Sequence, residues 1–186
     1  VQVNFARRFG PLHTHPAAPA EHENVAVFII RTHRDSPISN GNGWHSDVSY
    51  DVEPPSASML QAQVLPYYGG GDTLFSDMEA AYATLPSATR RRLWTLSAVH
   101  ASEHVYPGRY AGRGTAKVAI DTPSAVHPVV RTHPETSRRS LFVNPSFTVS
   151  IDGMAANESD RLLGDLHKHC TRPEFQIRHR WQPYDM

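Results

Sequence analysis

Val126-His127-Pro128-Val129-Val130-Arg131-Thr132, followed after a polar stretch by Ser140-Leu141-Phe142-Val143, is the part of the chain whose reading settles the fold class. Both runs are apolar, and the residues between them, His133 to Arg139, are polar and hold Pro134, so the pair reads as a hairpin of antiparallel strands. On the C-terminal side, Asn157 offers a helix N-cap and Glu158 and Asp160 suit the positive end of a helix dipole. Leu162, Leu163 and Leu166 then form the buried stripe of that helix. Phe175 to Trp181 alternates large and polar residues as a half-buried strand does. On the N-terminal side, the glycine-rich stretch from His104 to Ser124 reads as a loop or lid. Before it, Ser76 to Leu85 and Ser87 to Ala98 read as two helices broken at Pro86, with Ser87 as N-cap. Ser58 to Val64 reads as a strand running into the turn Gly69-Gly70-Gly71, and Val25 to Ile30, rich in β-branched residues, as a buried strand. Arg34 to Gly43 is a loop by composition, and Phe5 to Phe9 ends a helix stopped by Gly10-Pro11. Strands before, between and after the helices, with a hairpin among them, exclude a regular parallel βαβ sheet. They predict a mostly β chain with inserted helices.

The bulk numbers exclude several function classes. At 186 residues and 39% hydrophobic content the chain suits one domain with a real core. Eighteen basic and eighteen acidic residues balance, so neither a nucleic-acid nor a membrane-surface partner is expected. Arg90-Arg91-Arg92 is the one basic run and reads as a solvated helix face. No apolar run approaches the length of a membrane span, and no signal segment opens the chain, which together predict a cytoplasmic protein. The single cysteine, Cys170, excludes an internal disulfide framework and reads as a packed apolar residue late in a helix.

Asn42-Gly43-Trp44-His45-Ser46-Asp47-Val48-Ser49-Tyr50 carries the chemistry. On an extended segment His45 and Asp47 project from the same face and can reach one metal ion. They would be two thirds of a 2-His-1-carboxylate triad, which leaves adjacent positions open on a six-coordinate iron(II). The bland alternative is a surface pair at a strand end. A zinc hydrolase is a weaker reading, since no third nitrogen or sulfur ligand stands at familiar zinc spacing.

With Pro54-Pro55, Ser58 to Pro66, Gly69 to Phe75, Val126 to Pro134, Ser140 to Asn144 and Phe175 to Pro183 in this order and spacing, the chain resembles the taurine/2,4-dichlorophenoxyacetate (TauD/TfdA-type) iron(II)- and 2-oxoglutarate-dependent dioxygenases. It is nearer to their taurine dioxygenase branch. The resemblance implies a double-stranded β-helix, the distorted, cupin-like jelly roll, as a single domain over residues 1–186. It also implies that the distal histidine ligand and a 2-oxoglutarate-binding arginine lie beyond Arg180-Trp181-Gln182-Pro183, in a stretch this sequence does not contain. His179, inside the preceding strand, is not promoted to third ligand.

The implied cofactors are Fe(II), 2-oxoglutarate and O2. The implied reaction hydroxylates a small anionic organic substrate such as a sulfonate, sulfate ester or related acid, with release of succinate and CO2. His45, as neutral imidazole, and Asp47 would be metal ligands and catalytic residues, with Trp44 packing on the opposite face. Thr73 would hold the 2-oxoglutarate carboxylate, although a threonine after a glycine turn is also an ordinary strand start. His15 would face the substrate's anionic group or be a loop histidine bonded to backbone. Tyr106 and Phe147 would line the substrate pocket or be core aromatics, and Asn40 and Asn42 both match an amide expected before the metal motif. Ala18 stands where taurine dioxygenase carries a tyrosine, which points away from taurine and toward a larger substrate. A homo-oligomer is expected. The competing reading is a non-catalytic jelly-roll binding module that keeps His45 and Asp47 without a third ligand.

Overall fold

In the computed structural model, which describes residues 2–15, 26–33, 35–36, 41–103, 105 and 123–186, the hairpin forms as expected. Strands β4 (Val130–Thr132) and β5 (Arg139–Leu141) pair antiparallel with Val130 opposite Leu141. The turn closes through His133 N–H to Arg138 O at 2.8 Å. Ahead of it, β3 (Ser124–Pro128) belongs to a different sheet, and the change of partner falls at Val129. This residue is fully buried, donates to Leu96 O and accepts from Phe142 N–H, so one residue ties the two sheets together.

The second sheet has order β3-β2-β6, with β2 (Ser97–Ala101) between β3 and β6 (Thr148–Ile151), all antiparallel. A register shift between Val99 and His100 interrupts the β2–β6 pairing, the local irregularity that re-aims a side chain. The third pair joins β1 (Thr73–Ser76) to β7 (Gln176–His179), which sets Thr73 opposite His179. Among the described residues these sheets do not close into a barrel. The antiparallel strands with helices inserted between them make the mostly β, distorted jelly-roll class.

Among the described residues, helices α1 (Gln2–Ala6), α2 (Met78–Ala83), α3 (Ser87–Leu93) and α4 (Ala156–Cys170) lie between or before the strands. A 3-10 turn extends α1 to Phe9, and Gly10 ends it at φ 139°, as the Gly10-Pro11 stop predicts. Asp77 caps α2, accepting from Glu79 and Ala80 N–H at 3.0 Å each. The dipole reading of α4 is right, but its cap is not Asn157. Ala155 takes the cap position without a side-chain bond, and Asn157 lies inside the helix. The Leu stripe is observed, with Leu163, Leu166 and Cys170 buried and Leu162 packed against them. Burial pushes the Cys170 thiol up to about 12, so it is packed and inert. Of the basic run, Arg92 pairs with Glu158 across the surface at 2.5 Å.

Ser87 is likewise the first residue of α3 and not its cap, a position taken by Pro86, and three further local expectations fail. The helix expected to reach Ala98 stops at Leu93, because Ser97 to Ala101 finds strands on both sides and ladder pairing overrides local propensity. Residues 26–30 form no strand among the described residues, with Ile29 45% and Ile30 47% exposed and Phe28 stacked on His15; β propensity alone does not make a ladder. Residues 58–64 run without a ladder as well. A reciprocal pair of bonds joins Ala62 to the C-terminal stretch, Ala62 N–H to Asp185 O and Tyr184 N–H to Ala62 O. The loop expected at His104 to Ser124 lies largely outside the described residues.

Two apolar clusters result. The larger packs α2, α3 and α4 on the strands, around Leu93, Val129, Leu141, Ile151, Leu163 and Leu166. The smaller, Val48, Tyr50 and Phe147 with Phe28 and Val105 against it, sits beneath the metal motif. Leu166, 2% exposed, is a keystone of the first. Replacing it with alanine removes buried methyl groups and leaves a cavity, so Leu166→Ala should cost about 2–5 kcal/mol in denaturant unfolding. A loss below about 1 kcal/mol would show that α4 is not docked as described.

Candidate metal centre and active site

The motif is not the straight strand its spacing suggests. It runs without a ladder to Ser46, with a bend at Gly43, and then turns from Asp47 to Tyr50, closed by Asp51 N–H to Val48 O at 3.0 Å. Val48 takes φ 52°, a left-handed conformation that is rare for a β-branched residue and costs on the order of 1 kcal/mol or more. On a straight strand Ser49 would share the face of His45 and Asp47. The reversal at Val48 instead sends Ser49 into the interior, fully buried, and leaves the Asp47 side chain about half exposed.

His45 and Asp47 do come together. His45 Nδ1 lies 2.9 Å from the Gly43 carbonyl, an oxygen that can only accept, so Nδ1 carries the proton. Nε2 is thereby turned on Asp47 Oδ1 at 3.3 Å. This is the arrangement of a metal-binding histidine, whose far nitrogen is fixed by a carbonyl while the near one faces the ion. Cis ligands on a six-coordinate ion at ~2.1 Å stand about 3 Å apart, so the spacing of this pair fits. The His45 imidazole beside it holds the Asp47 carboxyl below its ordinary range, and the Ser58 hydroxyl, 2.5 Å from Oδ2, adds to this against the opposing effect of burial. Asp47 is therefore an anion, the form a hard cation needs. Among the described residues no third His, Cys, Asp or Glu joins the pair.

The segment expected to face substrate is also brought close. His13 Nε2 lies 3.3 Å from Asp51 Oδ2, and the His15 ring stacks on Phe28 with centroids 4.7 Å apart. Burial lowers the pKa of His15, with His13 adding to the effect, while the charge of Asp47 opposes it. His15 thus lies within electrostatic reach of Asp47 and favours its neutral form, a hydrogen-bonding rather than a cationic group.

Thr73 opens β1, as a strand start would, and its Oγ1 accepts from Trp181 Nε1 at 2.9 Å. That bond uses the oxygen as acceptor and leaves the hydroxyl proton for a ligand. Phe147 is 4% exposed, in edge contact with Tyr50 and, at 6.5 Å between centroids, with His45. It packs in the smaller cluster and supports the histidine from below. Asn42 is exposed between Gly41 and Gly43, both at positive φ. Tyr106, Ala18 and Asn40 lie outside the described residues. His179 stays in β7, with Trp181 edge-on 4.4 Å away and Asp185 Oδ2 at 3.6 Å. A surface groove of about 1020 Å³ between α2, α3 and the β4–β5 turn shares no residue with the metal pair.

Sequence reasoning misses the residues that anchor the motif. Ser49 Oγ accepts from Asn144 Nδ2 at 3.0 Å and meets His100 Nδ1 at 3.0 Å. Asn144 Oδ1 in turn accepts from Phe147 N–H, and Asn144 N–H reaches Thr148 Oγ1. Toward the ends of the arm, the Ser146 hydroxyl donates to Trp44 O at 3.0 Å and His127 Nε2 to Asp51 O at 2.8 Å. His127 and Asn144 stood in the strand blocks, where no local signal marks a buried polar residue as an anchor. An amide ending an apolar run, as in Leu141-Phe142-Val143-Asn144, was the available hint.

The antiparallel scaffold places the fold among the distorted jelly rolls, and the sequence places it within one family of them. The chain belongs to the TauD/TfdA family: residues 1–186 match the family described as taurine catabolism dioxygenase TauD, TfdA. It is 34% identical to the (S)-phenoxypropionate/alpha-ketoglutarate-dioxygenase of Sphingobium herbicidovorans, over 99% of this chain and 67% of that protein. It is 32% identical to the alkylsulfatase of Acinetobacter baylyi, over 100% of this chain and 59% of that protein. A crystal structure of a taurine dioxygenase from Burkholderia xenovorans superposes with a TM-score of 0.64 at 38% identity, covering 76% of this chain and 44% of that one. The chain spans about half to two thirds of the length of the curated relatives it matches.

His100 gives the scaffold a pH dependence. Burial, reinforced by His127, pushes its pKa from 6.5 down to about 4. The unfolded chain therefore takes up a proton that the folded chain refuses. This contribution to stability is fully present above pH 6.5, is lost as pH falls toward 4, and is constant below that; its size is on the order of 3 kcal/mol. Urea unfolding should show stability falling over that window, and His100→Gln should flatten the fall. An unchanged slope in the variant would remove His100 as its source.

Proposed function

We propose that the protein is an iron(II)- and 2-oxoglutarate-dependent dioxygenase that hydroxylates a small anionic organic substrate. The observation that carries the reading is the His45–Asp47 pair, with Nε2 and Oδ1 3.3 Å apart and Nδ1 committed to the Gly43 carbonyl. When bound, the iron with 2-oxoglutarate and dioxygen supplies the oxidising power for hydroxylation of a C–H bond. His45 and Asp47 hold the metal, and the Ser58 hydroxyl keeps the carboxylate oriented through its second oxygen. Thr73 offers its hydroxyl proton to a carboxylate of 2-oxoglutarate while the Trp181 indole fixes its oxygen. His15, held flat against Phe28, donates a hydrogen bond to the anionic end of the substrate. The remaining protein ligand position falls to a group outside the described residues.

A sulfonate, a sulfate ester or a related acid is the substrate class this reading favours, and the names of the alkylsulfatase and phenoxypropionate relatives support it. Ala18, in place of a hydroxyl-bearing aromatic, favours longer substrates over taurine. The non-catalytic binding module is the second reading, and what favours it is that the donor set among the described residues has two members.

Succinate formation separates the two. Asp47→Ala should abolish iron-dependent conversion of 2-oxoglutarate to succinate while leaving the fold intact, because its half-exposed carboxylate contributes little to the core. Thr73→Val should raise the KM for 2-oxoglutarate about tenfold, the loss of one hydrogen bond to a charged group. Wild-type protein without any succinate release across a panel of sulfonates, sulfate esters and aryloxy acids would favour the binding module. Taurine emerging as the best substrate would overturn the Ala18 argument alone.

A further inference from the structure

The bonds that hold residues Trp44 to Asp51 are made by atoms distinct from those that would meet a metal, and this gives them a role of their own. We propose that Ser49 and Ser146, backed by His100, Asn144 and His127, are positioning residues that set how tightly His45 and Asp47 hold a divalent cation. The inference rests on the metal-binding reading above.

The argument begins at Val48. A β-branched residue at φ 52° does not keep that conformation unaided, so the surroundings must over-determine it. Ser49 supplies that determination. Its hydroxyl is fully buried and lies between the Asn144 amide and the His100 ring, which come from a loop and from β2, so neither can move with the arm. Were Val48 to relax toward ordinary strand geometry, Ser49 would swing to the face of Asp47 and leave the Asn144 and His100 polar atoms short of a partner in the interior. Buried polar groups that lose a partner are costly, so the left-handed turn persists.

The carbonyl of Trp44, adjacent to His45, is held by Ser146, and the carbonyl of Asp51, at the far end of the turn, by His127. The two ligand side chains therefore stand on a backbone fixed before, just after and beyond them. A preformed pair holds a cation more tightly than one that must be ordered on binding.

The test is Mn(II) titration of the protein, followed by the electron paramagnetic resonance signal of the free ion and set beside unfolding stability for each variant. Ser49→Ala and Ser146→Ala should each weaken Mn(II) binding about tenfold, as loss of a supporting bond at a metal site does. Ser146→Thr, which keeps the hydroxyl, should restore affinity, and Leu166→Ala should lose stability in the other cluster without losing Mn(II). If Ser49→Ala does not fold, Ser146→Ala, at a half-buried position, decides the matter. Asp47→Ala serves as the ligand control. Wild-type Mn(II) affinity in the serine variants while Asp47→Ala fails to bind overturns the positioning role and spares the metal site. The same result follows if affinity falls no more in the serine variants than in Leu166→Ala. Undiminished binding by Asp47→Ala overturns the metal site and this inference with it.

Discussion

One buried hydroxyl, Ser49 Oγ between the Asn144 amide and the His100 ring, is the contact on which the site depends. A polar group removed from water costs about 1–3 kcal/mol unless it is paired, so the three residues form as a unit. That unit joins the metal arm to β2 and to the loop before β6. The strand order β3-β2-β6 has a plain consequence here: it stands His100 and His127 next to each other, ring centroids 5.3 Å apart, where one reaches Ser49 and the other the Asp51 carbonyl. The helices pack against the same strands from the larger cluster and make no bond to the arm. They hold the strands that hold the arm.

The electrostatics at the surface of the arm follow from that burial. Asp47 is kept ionised by the His45 imidazole beside Oδ1 and the Ser58 hydroxyl on Oδ2, while His15 is pushed toward its neutral form by the same apolar surroundings that support it. The surface at His45 therefore presents the Asp47 carboxylate, one aligned imidazole and the neutral hydrogen-bonding ring of His15 nearby. This combination suits a hard divalent cation with an anionic molecule beside it, and it suits poorly a soft metal or a site that works by concentrated positive charge. The acid weakness of His100 belongs to the scaffold beneath, and couples the integrity of that scaffold to pH without touching the ligand atoms.

The sequence by itself determined the fold class and the family. The hairpin around Val130 and Leu141, the helical stripe at Leu163 and Leu166, and the His45–Asp47 pair were legible because each depends on local spacing: a turn length, a period of 3.6, two residues on one arm. So was the family, since ordered blocks over the whole chain agree. What only the tertiary structure decided is whatever requires a partner distant in sequence. Residues 97–101 are strand and not helix because β3 and β6 flank them, and residues 26–30 are not strand because no ladder forms there. Phe147 comes to lie beside His45 because the fold sets it against Tyr50. Ser49 faces inward because Val48 reverses the chain, and its partner Asn144 lies 95 residues away. The His45–Asp47 pair could be read from a pattern of two residues. The anchors could not, because a buried hydrogen bond is a property of two positions that only folding brings together.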